Sequence, residues 1–130
     1  MIKTAAFLIP LVALNACGTD ETVSGYADPD ATYHLIEMDG VTPVAPATIR
    51  FPEQGRVTGQ GPCNAYMASQ TVPYPWFNVD AIASTRRACP HLPQEAAYFR
   101  LLENMTLAEV TDTILILSDT EGRMLIFEAR

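Results

Sequence analysis

The stretch Ile114–Phe127, ILILSDTEGRMLIF, decides the fold class of this chain. Two apolar runs, ILIL and MLIF, flank Asp119–Gly122, whose residue types favour a tight turn. The pattern predicts a β-hairpin, in which Ile114–Leu117 is either buried on both faces or central in a sheet. Directly upstream, Thr106–Val110 is predicted to form a neighbouring strand.

The residues upstream of this hairpin predict further short strands. Thr48–Phe51 alternates, with Ile49 and Phe51 on one face, and the following turn leads into a return strand. Extended segments that recur about every ten residues are typical of an antiparallel sheet or barrel. The other predicted strands are Thr32–Glu37, Arg56–Gly59, Ala65–Val72, Trp76–Val79 and Ala81–Thr85.

One segment, Pro93–Asn104, has the pattern of an amphipathic helix. Proline suits a first helical turn, and Tyr98, Leu101, Leu102 and Met105 form one apolar stripe. Together the patterns predict an α+β fold, with about seven or eight antiparallel strands in a small sheet or cracked β-barrel packed on this helix.

The composition limits both the class of protein and the partners that the chain can bind. The 130 residues suit one domain, and 48% hydrophobic against 18% charged residues excludes a disordered chain. Eight basic against 15 acidic residues give a net charge of −7. Because phosphate neutralisation needs clustered Lys and Arg, we expect no binding to nucleic acid.

The N-terminus has the pattern of a secretory signal. Lys3 precedes Ala5–Leu14, an apolar run that is too short for the ~20 residues of a membrane-spanning helix. Leu14 to Cys17 resembles a bacterial lipobox, which predicts lipidation of Cys17; the alternative is an ordinary signal peptide ending near a cysteine. We expect a signal peptide at 1–16, a lipidated, flexible tether at 17–30 and a domain at 31–130. Gly18 favours the outer membrane, with the domain facing the periplasm.

Two cysteines remain if Cys17 carries lipid. In an oxidising compartment, the simplest interpretation is a disulfide between Cys63 and Cys89. Two alternatives stay open. A metal site could combine both cysteines with His91 and His34, although paired C-x-x-C spacing is absent from the sequence. A catalytic thiol could use His91 as its base.

Four further residues are candidates for binding or for structure. Asn64 follows Cys63 at a bend, where its amide can satisfy backbone groups. Arg86 and Arg87 could meet an anion, and on a strand they would point to opposite faces. Trp76 lies in the densest aromatic cluster and would contact a partner or lipid if exposed. The sequence shows no catalytic motif, so we expect neither catalytic residues nor a metal or other cofactor.

Several short motifs, taken in order, resemble those of the META domain family, which includes HslJ-type bacterial heat-shock lipoproteins. Cys63-Asn64 matches the central motif of the family, and Thr85 to Cys89 is similar to its Thr-x-x-x-Cys. Other matching segments are Tyr33-x-Leu35 with Gly40, Gly55–Gly59, and the closing hairpin with Gly122. The resemblance implies an open or cracked barrel curled against a helix. It also implies roles in envelope stress, motility or secretion, and novobiocin resistance, without a firmly established enzymatic activity.

These observations predict a non-enzymatic lipoprotein of the bacterial cell envelope. We expect a binding module for stress response or envelope assembly, attached to the membrane by its lipid and contacting a protein, peptide or lipid ligand. The alternative is a thiol-dependent redox or hydrolytic enzyme that uses Cys63 or Cys89.

Overall fold

The computed structural model describes residues 2, 4–6, 9–10 and 18–130. This part of the chain forms eight strands, one α-helix and a short 3-10 helix, which confirms the predicted α+β class. The elements are the 3-10 helix Val23–Gly25, β1 (Tyr33–Met38), β2 (Thr48–Ile49), β3 (Arg56–Gln60), β4 (Ala65–Ser69), β5 (Asp80–Ser84), α1 (Leu92–Asn104), β6 (Leu107–Thr111), β7 (Ile114–Ser118) and β8 (Met124–Ala129).

The strands form two antiparallel sheets that do not close into a barrel. One sheet has the order β2-β1-β8-β7-β6 and the other β3-β4-β5. A single bridge between Arg50 and Thr58 connects the sheets at one side. A second bridge joins Trp76 to Leu107 of β6, and it replaces the strand predicted at Trp76–Val79.

The hairpin that decided the fold class lies in the middle of the larger sheet. Strand β7 pairs with β6 on one side and with β8 on the other. Leu115 and Leu117 are fully buried, whereas Ile114 and Ile116 on the opposite face are half-buried. The predicted strand is therefore central, and its outer face is partly exposed.

Helix α1 joins the two sheets through its aromatic side. Tyr98 is completely buried, and its ring packs edge-on against Tyr66 of β4 and Phe127 of β8. Leu102 and Met105 extend the same buried stripe. Burial of this stripe, rather than helix propensity, supplies most of the stability of such a helix.

The N-terminal segment differs from the predicted tether. Val23 and Ala27 belong to the core, and the Tyr74 N–H donates to the Glu21 carbonyl at 2.7 Å. Asp20 accepts hydrogen bonds from the Thr22 N–H and hydroxyl, so this polar segment folds locally before it packs. The prediction that residues 17–30 form a flexible tether is thus corrected for residues 20–27. Cys17 and most of the predicted signal peptide lie outside the described residues.

Among the residues that the structure describes, no helix has both the length and the apolar character to span a bilayer.

Candidate functional site: a groove beside the disulfide

The predicted disulfide between Cys63 and Cys89 is present, with the two Cα atoms 5.7 Å apart. It connects the turn between β3 and β4 to the segment that precedes α1. Both sulfurs are therefore bonded to each other and are not thiolates that could bind a metal. Within the described ranges, no group of three or more His, Cys, Asp or Glu side chains is arranged to hold a metal ion.

A buried carboxylate next to the disulfide organises the site. Glu95, in the first turn of α1, is only 4% exposed. Its Oε2 accepts the N–H groups of Cys63 and Asn64, each at 2.7 Å. Its Oε1 accepts Nδ2 of Asn64 at 2.6 Å. A buried carboxylate needs such donors, so Glu95 fixes the start of α1 against the β3–β4 turn.

The side chain of Asn64 connects this turn to a third segment. Its Oδ1 accepts the Arg87 N–H at 2.6 Å and the Thr85 hydroxyl at 2.9 Å. Its Nδ2 also donates to the Arg87 carbonyl at 3.2 Å. One amide thus satisfies both backbone groups of Arg87, as a neighbouring strand would. A structural role for Asn64, in which its amide satisfies backbone groups at a bend, accounts for all these contacts.

The approach of Glu95 to the turn requires a glycine at position 61. A Cβ atom there would lie 2.7 Å from Oε2 of Glu95. The Gly61 N–H donates to the Asn64 carbonyl at 2.7 Å, which closes the turn. The turn is therefore tight and leaves no room for a larger side chain.

A groove of about 480 Å³ opens beside this network. Leu92, Ala96 and Phe99 of α1 form its apolar wall, because their spacing places them on one helix face. This stripe is separate from the buried stripe of Tyr98 and Leu102. The opposite wall is formed by the end of β5 and the segment that follows it. The lining residues are Asn64, Ser84, Thr85, Arg86, Arg87, Ala88, Leu92, Glu95, Ala96 and Phe99.

Strand β5 presents a free edge at this groove. It pairs with β4 only, and elsewhere in the described chain no backbone group bonds to Asp80–Ser84. The Thr85 N–H donates to the Ala65 carbonyl of β4. Successive residues of a strand direct their backbone groups to alternate sides, so those of Ser84 point away from β4. They are available to an added strand.

Arg86 and Arg87 both line the groove and are both exposed. Strand β5 ends at Ser84, so the opposite orientation expected for neighbours on a strand does not apply. In the part of the chain that the structure describes, neither guanidinium forms an ion pair. In a chain of net charge −7, this end of the groove is a local positive site.

Two tyrosine hydroxyls lie buried behind the groove wall. The oxygens of Tyr66 and Tyr98 are 2.7 Å apart, and the Tyr66 hydroxyl also reaches the Thr48 carbonyl at 2.7 Å. Burial raises the pKa of both hydroxyls above the usual value of 10.0, and the proximity of Tyr98 raises that of Tyr66 further. Both hydroxyls therefore stay protonated and act as hydrogen-bonding groups of the core.

Trp76 lies elsewhere, beside the N-terminal segment. It is 59% exposed and faces solvent next to Leu107. The structure thus brings Asn64, Arg86 and Arg87 together and keeps Trp76 apart from them.

Sequence reasoning missed two parts of the site. Glu95 was not among the predicted site residues, and the second apolar stripe of α1 was not recognised. The only signal for that stripe was the spacing of Leu92, Ala96 and Phe99 at i, i+4 and i+7.

These features define a small, disulfide-bonded α+β domain with an open, amphipathic groove. The META domain model matches residues 27–130, so the chain belongs to the META domain family.

Solved structures share the fold at low identity. A protein from Burkholderia xenovorans, solved by NMR, is 22% identical with a TM-score of 0.63 over 78% of this chain and 82% of its own. A second NMR structure is 17% identical with a TM-score of 0.61, over 78% and 94%. A DUF4847 family protein from Bacteroides vulgatus is 15% identical with a TM-score of 0.53, over 64% and 57%. No curated protein is significantly similar to the chain.

Proposed function

We propose that this META-domain protein is a non-enzymatic binding module of the bacterial cell envelope. In this proposal Cys17 carries the lipid that holds the protein at the outer membrane, and the domain faces the periplasm. The module takes part in envelope stress response or assembly by binding a segment of another protein. The lipobox-like residues before Cys17 and the oxidised pair Cys63–Cys89 support this location, because both features are typical of extracytoplasmic proteins.

The geometry of the groove supports the proposed binding function. Its apolar wall, its exposed arginines and the free edge of β5 suit an extended peptide that contains acidic and apolar residues. The backbone of the peptide would add to β5 at Ser84, its apolar side chains would cover Leu92 and Phe99, and a carboxylate would meet Arg87. Strand addition of this kind takes affinity from the main chain and specificity from the side chains.

A second copy of this chain suits the groove less well. The chain is acidic overall, but two copies that paired through β5 would also bring their Arg86–Arg87 sites close together. Like charges that meet without counter-ions oppose association. An acidic segment of a different protein is therefore the occupant to which the proposal commits.

Site-specific photocrosslinking in growing cells tests this binding function. The full-length chain would carry a photoreactive residue at Ala96 in the groove or, as the control, at Glu121 in the exposed turn between β7 and β8. We expect a discrete adduct from position 96 only, in which mass spectrometry identifies an acidic peptide. The substitutions Arg86→Glu and Arg87→Glu should remove the adduct. Equal labelling from both positions, or an adduct that survives the charge reversal, would refute binding in the groove.

A further inference from the structure

Exposed aromatic residues cluster where the N-terminal segment joins the domain. Tyr26 is 54% exposed and stacks on Tyr74, with ring centroids 4.2 Å apart. Trp76 follows two residues later at 59% exposure, and its bridge partner Leu107 is 37% exposed. We call Tyr26, Tyr74, Trp76 and Leu107 the aromatic patch.

The aromatic patch continues across the outer face of the larger sheet. Leu107 lies opposite Ser118, and Ser118 lies opposite Met124. Residues that face each other in a ladder present their side chains on the same side of the sheet. Met124, which is 38% exposed, therefore places a further apolar side chain on the same face of the sheet as Leu107, with Ser118 between them.

Few residues of chain separate the proposed lipid attachment point, Cys17, from this patch. The Tyr74 N–H donates a hydrogen bond to the Glu21 carbonyl at 2.7 Å, and Glu21 comes four residues after Cys17. Four Cα–Cα steps span at most about 15 Å, so a lipid on Cys17 would be attached within that distance of Glu21. The patch therefore lies within reach of the membrane surface in which such a lipid is inserted.

We propose that the aromatic patch is a second membrane contact, which inserts Trp76 into the interfacial layer and fixes the orientation of the domain. Tyr and Trp are the side chains that favour this layer, because each has an apolar ring and a polar group. The proposal rests on the lipid anchor of the proposed function. Exposed Glu21, Asp28 and Asp30 near the patch disfavour anionic lipid, so the contact is with zwitterionic headgroups.

Trp76 is the only tryptophan of the chain and reports directly on this contact. The native protein, with its lipid on Cys17 verified by intact mass, is reconstituted into phosphatidylcholine vesicles with brominated acyl chains. We expect a roughly twofold loss of Trp76 emission relative to unbrominated vesicles, since bromine quenches an indole held in the interfacial layer. The substitution Leu107→Glu should restore most of the emission.

A matched control places the single tryptophan on another surface of the domain. In the double variant Trp76→Phe and Met67→Trp, the indole occupies a position that is 52% exposed on β4, and its emission should be unaffected by brominated lipid. Equal quenching at both positions, or none at position 76 in an anchored chain, would overturn the membrane contact alone. An unmodified Cys17 would overturn the proposed function and this contact with it.

Discussion

The carboxylate of Glu95 and the side-chain amide of Asn64 lie 2.6 Å apart, both almost completely buried. Through these two residues, helix α1, the turn that contains Cys63 and the segment before Cys89 are hydrogen-bonded together. The disulfide joins the same segments covalently. The groove therefore has a rigid back wall, while its arginines and apolar stripe remain open to solvent.

Replacing Glu95 with Gln should destabilise the fold. The two oxygens of Glu95 accept three hydrogen bonds, and an amide nitrogen in place of either oxygen would face a donor. Loss of hydrogen bonds to a buried charged group costs about 1.5–3 kcal/mol, so the free energy of unfolding in urea should fall by that amount. Glu103→Gln, on the exposed face of α1, is the control. Equal stability of the two variants would show that Glu95 does not organise the turn.

Gly61→Ala should have an effect of similar size for a different reason. The added methyl group would approach Oε2 of Glu95 to 2.7 Å, and the three hydrogen bonds to that carboxylate oppose its displacement. Overpacking of this kind typically costs about 1–3 kcal/mol. Thermal unfolding of Gly61→Ala beside Gly18→Ala, where no atom lies within 4 Å of the new Cβ, measures the difference. Identical melting temperatures would contradict the close approach.

The double substitution Cys63→Ser and Cys89→Ser should lower stability without abolishing the fold. The sequence separation of 26 residues corresponds to about 3.5 kcal/mol of chain entropy in the unfolded state. Urea unfolding of this variant should match that of the wild type in reductant. A structural disulfide also predicts no titratable thiol at 63 or 89 in the native protein under mild reductant. Rapid, reversible reduction coupled to turnover of a substrate would favour the thiol-enzyme alternative.

Alkaline pH should unfold the protein through the two buried tyrosines. The pKa of Tyr66 and Tyr98 is raised in the folded state, so their contribution to stability is complete below the unfolded value of 10.0 and is lost as the pH rises above it. Tyrosinate absorbance should therefore show a late fraction that appears only with the loss of folded structure. Simple titration of all five tyrosines near pH 10, in a chain that stays folded, would disagree with the burial of this pair.

Local patterns were sufficient to predict the helix and most of the strands. The apolar runs on either side of Asp119–Gly122 and the stripe around Tyr98 pack against the core. Because one face of each element is buried, apolar residues recur there at the spacing of a strand or a helix, which is visible in the sequence. The pairing of Cys63 with Cys89 was predicted from the number of cysteines and from the expectation of an oxidising compartment. Each of these features depends on a few neighbouring residues or on the number of cysteines in the chain.

The organisation of the site was not predictable in the same way. Glu95 meets Asn64 across 31 positions of sequence, and no local periodicity records such a contact. The tether was predicted at 17–30 from the polar, acidic composition of this segment, yet Asp20 supplies hydrogen bonds that let residues 20–27 fold. The open edge of β5 is a property of the sheet order, which a single sequence does not specify.

Intact mass spectrometry of the protein purified from its native membranes tests the central claim most directly. A lipid-anchored, disulfide-bonded binding domain predicts a mass that lacks residues 1–16, carries acyl groups on Cys17, and is two hydrogen atoms below that of the reduced chain. A species with an unmodified Cys17, or with free thiols at 63 and 89, would contradict the account.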